Sequence, residues 1–174
     1  VKRSPKIADA PDSPVKGLLF ALEAGHGGNT NTGAGGLMGT KEKTVNYMGV
    51  QAVKKLLEEK GAKTVQVRPG DSNPSLPERV ESANTTKADF FLSIHANSGG
   101  SGRGFLKTSG TSTYYQQKHN YLVAKLVYDQ LLKLGWGEFG CVGNFSYYPL
   151  RNNRMPSMLV EQAFMSSPYD ESRL

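Results

Sequence analysis

Thiols are almost absent from this chain. Cys141 is the only cysteine among 174 residues, which excludes an internal disulfide and a zinc cluster built on thiolates. Long hydrophobic runs are missing as well, and no apolar stretch approaches the roughly 20 residues that span a bilayer. The first residues lack the apolar centre of a signal peptide, so the chain reads as either a mature or a cytoplasmic form. No Gly-Lys-Ser/Thr stands at Walker spacing, and no strand–GxGxxG–helix unit can be drawn, so nucleotide-phosphate loops are not expected. The basic residues are scattered, with tight pairs only at Lys2-Arg3 and Lys54-Lys55. No aromatic–basic motif of a nucleic-acid module is visible, and nucleic acid is not an expected partner.

What is present is a basic, glycine-rich chain. The net charge is +6 with 20 glycines, and the isoelectric point is about 9.4. That balance favours anionic partners. Pro5, Pro11 and Pro14 among polar residues mark 1–15 as a linker or tail. Beyond it, short apolar segments alternate with helical patterns. Lys16 to Leu22, Lys63 to Val67, Asp89 to His95 and Ser157 to Glu161 read as strands. Val45, Met48, Gly49, Ala52, Val53 and Leu56 follow helical spacing, with Gly61 as a stop. Ser75-Leu76-Pro77-Glu78 reads as a capping box. Tyr115, Leu122, Val123, Leu126, Leu131 and Leu134 mark a long helix, and Ser167-Pro168 opens a further one. Such alternation predicts a single α/β domain whose sheet is covered by helices on both faces.

In sheets of this kind ligands bind outside the carboxyl ends of the strands. His26 follows the apolar run Leu18–Leu22 and is enclosed by Gly25, Gly27 and Gly28. His95 closes the run Phe90–Ile94, and Glu161 closes Met158–Val160. Gly25 to Gly39 reads as a flexible rim that lets backbone approach a ligand. Glu42 stands just ahead of the first amphipathic helix. A catalytic zinc site keeps three nitrogen or oxygen ligands and leaves a position for water. His26, Glu42 and His95 supply that set. Glu161, among apolar neighbours that raise its pKa, is the candidate to move a proton between water and a leaving amine. Taken singly, each of these residues has an ordinary structural explanation; the combination is what points to a zinc hydrolase. His119 reads as a surface or packing residue.

Four segments resemble one family, the zinc-dependent N-acetylmuramoyl-L-alanine amidases of the amidase-3 type. They are Ala24-Gly25-His26-Gly27-Gly28, Glu42-Lys43, Ser93-Ile94-His95-Ala96-Asn97 and Met155–Glu161. Arg68 with Asp71, and Leu76, Arg79 and Asn84, resemble the family's intervening turn and helix. The resemblance covers residues 16–174 as one catalytic domain. It implies a mixed, six-stranded sheet, Zn2+ held by His26, Glu42 and His95, and Glu161 as base and acid. The implied reaction cleaves the amide between the lactyl group of muramic acid and L-alanine of the stem peptide. Peptidoglycan is then the substrate, anionic wall polymers are further partners, and the implied setting is bacterial and extracytoplasmic, with a monomeric protein. Asn97, Asn144, Tyr147 and Arg151 are candidate substrate contacts, with Phe145 and Tyr148 beside them. The stretch from Ser98 to Arg154 reads as a strand, one long helix and a loop, so an open groove without an autoinhibitory helix is expected. After Glu161 the family pattern changes, with Gln162-Ala163-Phe164 ahead of Ser166-Ser167. The family's closing helix beyond Leu174 is missing, which predicts an exposed sheet face. Two other readings use the same residues: a peptidoglycan-binding module with an inactive or regulated site, and the same metal chemistry on a different amide.

Overall fold

The computed structural model describes residues 13–99 and 107–174. The linker expected over 1–15 therefore lies, apart from 13–15, outside the described residues. The elements, in chain order, are β1 (Leu19–Ala24), α1 (Glu42–Glu59), β2 (Lys63–Gln66), α2 (Leu76–Thr85), β3 (Phe90–Asn97), β4 (Thr111–Tyr115), α3 (Tyr121–Lys133), β5 (Glu138–Gly143), α4 (Tyr148–Asn152), β6 (Ser157–Phe164) and α5 (Pro168–Glu171). One sheet holds the strands in the order β2-β1-β3-β6-β4-β5. The first four of these run parallel. β4 meets β6 antiparallel, and β5 follows β4 in parallel. The sheet is therefore mixed and six-stranded, as the resemblance implies.

Alternation along the strands assigns the two faces. From β1, Ala21 packs with Ala83, Ala88 and Phe91 toward α2, whereas Leu22 and Ala24 pack with Val50 toward α1. From β6, Leu159 packs with Tyr114 and Leu150 of α4, and Met158 and Val160 pack with Ala124 of α3. So α1 and α3 cover one face while α2 and α4 lie on the other. The central strands read as near-continuous apolar runs because they are buried on both sides.

Three expectations change. Tyr115 ends β4 and does not belong to the long helix, which begins at Tyr121. The single strand expected between Ser98 and Arg154 becomes two, β4 and β5. Glu138-Phe139-Gly140-Cys141-Val142-Gly143 has no clear alternation, and its pairing with β4 makes it a strand. Met48 and Leu56 of the α1 stripe are 59% and 57% exposed, because the helix seats Val45, Asn46 and Val50 against the sheet instead.

The sheet is not evenly covered. Between α1 and α3 runs an apolar groove of about 680 Å³, lined by Phe20, Val53, Leu57, Leu92, Val127 and Leu131 among others. Within the described part of Ser98–Arg154, α3 packs on β4 and β5, and α4 packs against α2 and β6. At the His26 site the lining from this stretch comes from Ser146 and Tyr147 and from Tyr148 and Pro149 at the start of α4.

Candidate metal centre

The parallel strands bring three of the four key residues to one end of the sheet. His95 and Glu161 are register partners on adjacent β3 and β6. His26 follows β1, the other neighbour of β3. Its backbone is left-handed, with φ 61°, and Gly27 and Gly28 next to it are also at positive φ. A turn of this kind reverses the chain sharply and is why glycines surround the histidine. A side chain at Gly27 would strike the backbone of Ser72 and the stem of Arg68, so the loop packs tightly there. Glu42 arrives from the first turn of α1.

Glu42 is the centre of the cluster. Its Oε1 lies 3.1 Å from Nε2 of His26 and 3.1 Å from Nδ1 of His95. The same oxygen accepts from Nδ2 of Asn46 at 3.1 Å and from the Ala96 N–H at 3.3 Å. Oε2 accepts from the Ala34 N–H at 2.8 Å. Each of the three residues offers one ligand atom, and these atoms lie within 4.8 Å of one another. The imidazoles meet edge to face with centroids 5.2 Å apart. Lys43 turns away, donating to the Gly28 carbonyl and to Asp71.

The electrostatics describe a site built for a cation. Burial opposes the charge on Glu42, but hydrogen bonds from His26 and His95 outweigh it and hold its carboxyl far below the usual range. Burial likewise opposes charge on His95, yet Glu23 and Glu42 raise its pKa to about 10. The His26 pKa is also raised, by Glu42 against the cost of burial. Both shifts arise from the negative potential of Glu23 and Glu42 close to the two rings, a potential that suits a bound cation. Two imidazole nitrogens and a carboxylate oxygen are ordinary zinc donors. The residues present fit the group.

Glu161 differs from Glu42. It is 6% exposed, and its Oε2 is buried with no hydrogen-bond partner among the described residues. Desolvation raises its pKa from 4.5 to about 7, with His95 opposing and Glu42 reinforcing the rise. A buried carboxylate with one free oxygen and a pKa near neutrality can both take and return a proton.

Two cavities of about 450 Å³ each flank the cluster. Both include His26, Leu76 and His95 in their walls, so they adjoin at the site as two arms of a cleft. One arm carries Glu23, Asn31, Asn73 and Arg79; the other carries Asn97, Tyr147, Tyr148 and Glu161. Of the expected substrate contacts, Asn97 and Tyr147 line the cleft. Asn144 and Arg151 are not among its lining residues. Asn144 instead accepts from the N–H groups of Ser146 and Tyr147, shaping the entry to α4. Arg151 is exposed and lies 5.9 Å above the Tyr148 ring. Phe145 is exposed to solvent, and so is His119.

Several supporting residues carry no obvious signal in the sequence. Glu23 is fully buried and bridges Arg79 at 2.5 Å, Ser93, and Nε2 of His95 at 3.7 Å; its pKa stays near 2 because His95 and Arg79 outweigh desolvation. Arg79 also donates to the Ala24 and His26 carbonyls. Asn46 lies one helical turn after Glu42 and ties it to the Gly25 carbonyl. A lone acid in an apolar strand was the one clue to Glu23. After Glu161, Gln162 donates to the His95 carbonyl and Ser166 accepts from the Gly99 N–H. The altered segment thus still braces the strand that carries His95. The glycine rim is pinned at several points, where a flexible one was expected. Glu171 accepts from the Met38 and Thr40 N–H groups, and short bridges join Gly27 to Asn31 and Gly35 to Lys41.

Known proteins are similar to this chain in sequence and in fold. The chain is 34% identical to the N-acetylmuramoyl-L-alanine amidase LytC of Bacillus subtilis (strain 168) over 98% of its own length, and spans 34% of that protein. The solved catalytic domain of CwlV, an N-acetylmuramoyl-L-alanine amidase from Bacillus (Paenibacillus) polymyxa var. colistinus, superposes with a TM-score of 0.80 at 30% identity, covering 89% of this chain and 85% of that one. For the N-acetylmuramoyl-L-alanine amidase AmiC2 of Nostoc punctiforme the TM-score is 0.82 at 34% identity, covering 90% and 84%. The family described as N-acetylmuramoyl-L-alanine amidase (Amidase_3) matches residues 21–174, and the chain belongs to that family.

Proposed function

We propose that this chain is a zinc-dependent amidase of bacterial peptidoglycan, acting outside the cytoplasm. It would cleave the amide that joins the lactyl group of N-acetylmuramic acid to L-alanine of the stem peptide. The observation that carries the reading is the convergence of His26, Glu42 and His95 beside the buried, half-unpartnered carboxylate of Glu161. His26, Glu42 and His95 hold the metal. When bound, zinc supplies Lewis acidity, polarising the scissile carbonyl and acidifying a water. Glu161 takes the proton from the attacking water at its free Oε2 and returns it to the alanine amine as the C–N bond breaks. Tyr147 lies against Glu161 and bounds the cleft on that side. The cleft continues on both sides of the site, which suits a substrate extending in two directions, as a glycan with its peptide does. The basic chain suits anionic wall polymers.

Mass spectrometry of products from purified peptidoglycan tests the reading, with zinc-loaded protein compared to chelated protein. Zinc-dependent release of intact stem peptides with a free alanine amine, and uncut glycan, is expected. Sedimentation with peptidoglycan but no released product, at full metal occupancy, would favour a binding module with an inactive or regulated site. Cleavage of unrelated amides in preference to muramyl peptides would move the substrate elsewhere.

A further inference from the structure

The two histidines of the cluster are held in different ways, and the difference singles out a residue of the glycine rim. His95 belongs to a strand, and its ring packs so closely on Gly25 that a side chain there would overlap it. Its Nδ1 faces Glu42 and its Nε2 faces the buried Glu23. The His26 ring packs on Gly33 through its Cδ2 edge, but its surroundings differ. It sits on a loop at positive φ, and its side chain is 28% exposed. It turns the opposite nitrogen inward: Nε2 faces Glu42, and Nδ1 lies 2.6 Å from the side-chain oxygen of Asn31.

We propose that Asn31 is a positioning residue for the metal, fixing His26 in the Nδ1–H form so that the Nε2 lone pair is presented to the site. The inference rests on the metal-centre reading above and assigns Asn31 a role toward it. An imidazole has two nitrogens, and the hydrogen bond made by one decides which is left free for a metal. The orientation of the Asn31 amide is itself determined. Its Nδ2 donates to Oδ1 of Asn73 at 3.1 Å, and Nδ2 of Asn73 is 3.4 Å from the Thr30 hydroxyl. The Asn31 carbonyl accepts from the Gly27 N–H at 2.8 Å, which ties the rim back to the histidine turn. The acceptor behind His26 is therefore a neutral amide, while the one behind His95 is a carboxylate. A neutral acceptor polarises the ring less, so an aspartate in the same place would make His26 the stronger donor to the metal.

Zinc affinity of the purified full chain, measured by competition with a chromogenic chelator, tests this without reference to turnover. Asn31→Ala is expected to weaken zinc binding about 10- to 100-fold. Asn31→Asp is expected to bind zinc at least as tightly as the parent, with Asn73 turning its amide to donate. Asn31 is exposed, so both variants are expected to fold, and circular dichroism checks this. Retention of affinity within twofold in Asn31→Ala would overturn the proposal. So would an Asn31→Asp variant as weak as Asn31→Ala, which would make Asn31 a loop fixture only. His26→Ala separates the two levels: if it binds zinc as the parent does, the metal-centre reading itself fails.

Discussion

At the scale of single residues, Glu161 makes the sharpest predictions. Burial raises its folded-state pKa from 4.5 to about 7, so the metal-free folded protein holds an extra proton between those values. Its stability therefore falls as pH rises through that window, and above pH 7 the buried carboxylate costs about 3 kcal/mol. Glu161→Gln is expected to abolish turnover, to leave zinc bound, and to raise the Tm of the metal-free protein at pH 8. At pH 4 the gain should vanish, because both forms are then neutral. A thermal melt at the two pH values checks it, and equal gains at both would contradict the assigned burial cost. Turnover should fall as acid protonates Glu161. A bound cation favours the carboxylate, so the acidic limb of the kcat profile is expected at or below pH 7; a limb well above pH 7 would point to another group. These residues stood out in the sequence because an imidazole enclosed by glycines and an acid closing an apolar strand are both unusual. Asn31, Glu23 and Asn46 were not singled out, since their importance lies in which atom each one faces.

Among the elements, those that position the cleft are stabilised locally. α2 begins with a complete capping box, Ser75 and Glu78 each satisfying the other's backbone. Ser75→Ala is expected to cost about 1 kcal/mol, seen as a lower midpoint in urea. Leu76, the next residue, stands in both arms of the cleft, so KM is expected to rise as well; an unchanged midpoint would show that the cap is not needed. α5 is only four residues long, yet its Glu171 stitches the glycine rim to the end of the chain. Glu171→Ala removes charge-assisted bonds worth about 1–3 kcal/mol. Faster proteolysis within 33–40 is expected to accompany it. The capping box was readable because it is local in sequence. The rim's anchoring was not, since its acceptor lies more than a hundred positions away, and β5 was not, since its strand character comes from its partner.

For the whole molecule, charge and topology act together. The net charge of +6 predicts that co-sedimentation with walls bearing anionic polymers weakens steadily as salt shortens the screening length. Binding that is indifferent to salt would leave only contacts within the cleft. The parallel arrangement of β1, β3 and β6 brings His26, His95 and Glu161 to one end of the sheet, the position at which α/β sheets bind ligands. The apolar groove between α1 and α3 lies on the face that carries Leu92 and Val160, and its lining shares no residue with the walls of the cleft at His26.

The sequence by itself determined the alternation of strands and helices, the absence of a thiolate site and the identity of four chemically unusual residues. Each of these depends on local pattern, where neighbours in the chain carry the signal. Only the tertiary structure decided which nitrogen each histidine turns inward, that Glu161 keeps one oxygen without a hydrogen-bond partner, and which expected contacts line the cleft. Those properties arise where distant segments meet. Burial and hydrogen bonding at such meetings depend on three-dimensional neighbours that no run of adjacent residues specifies.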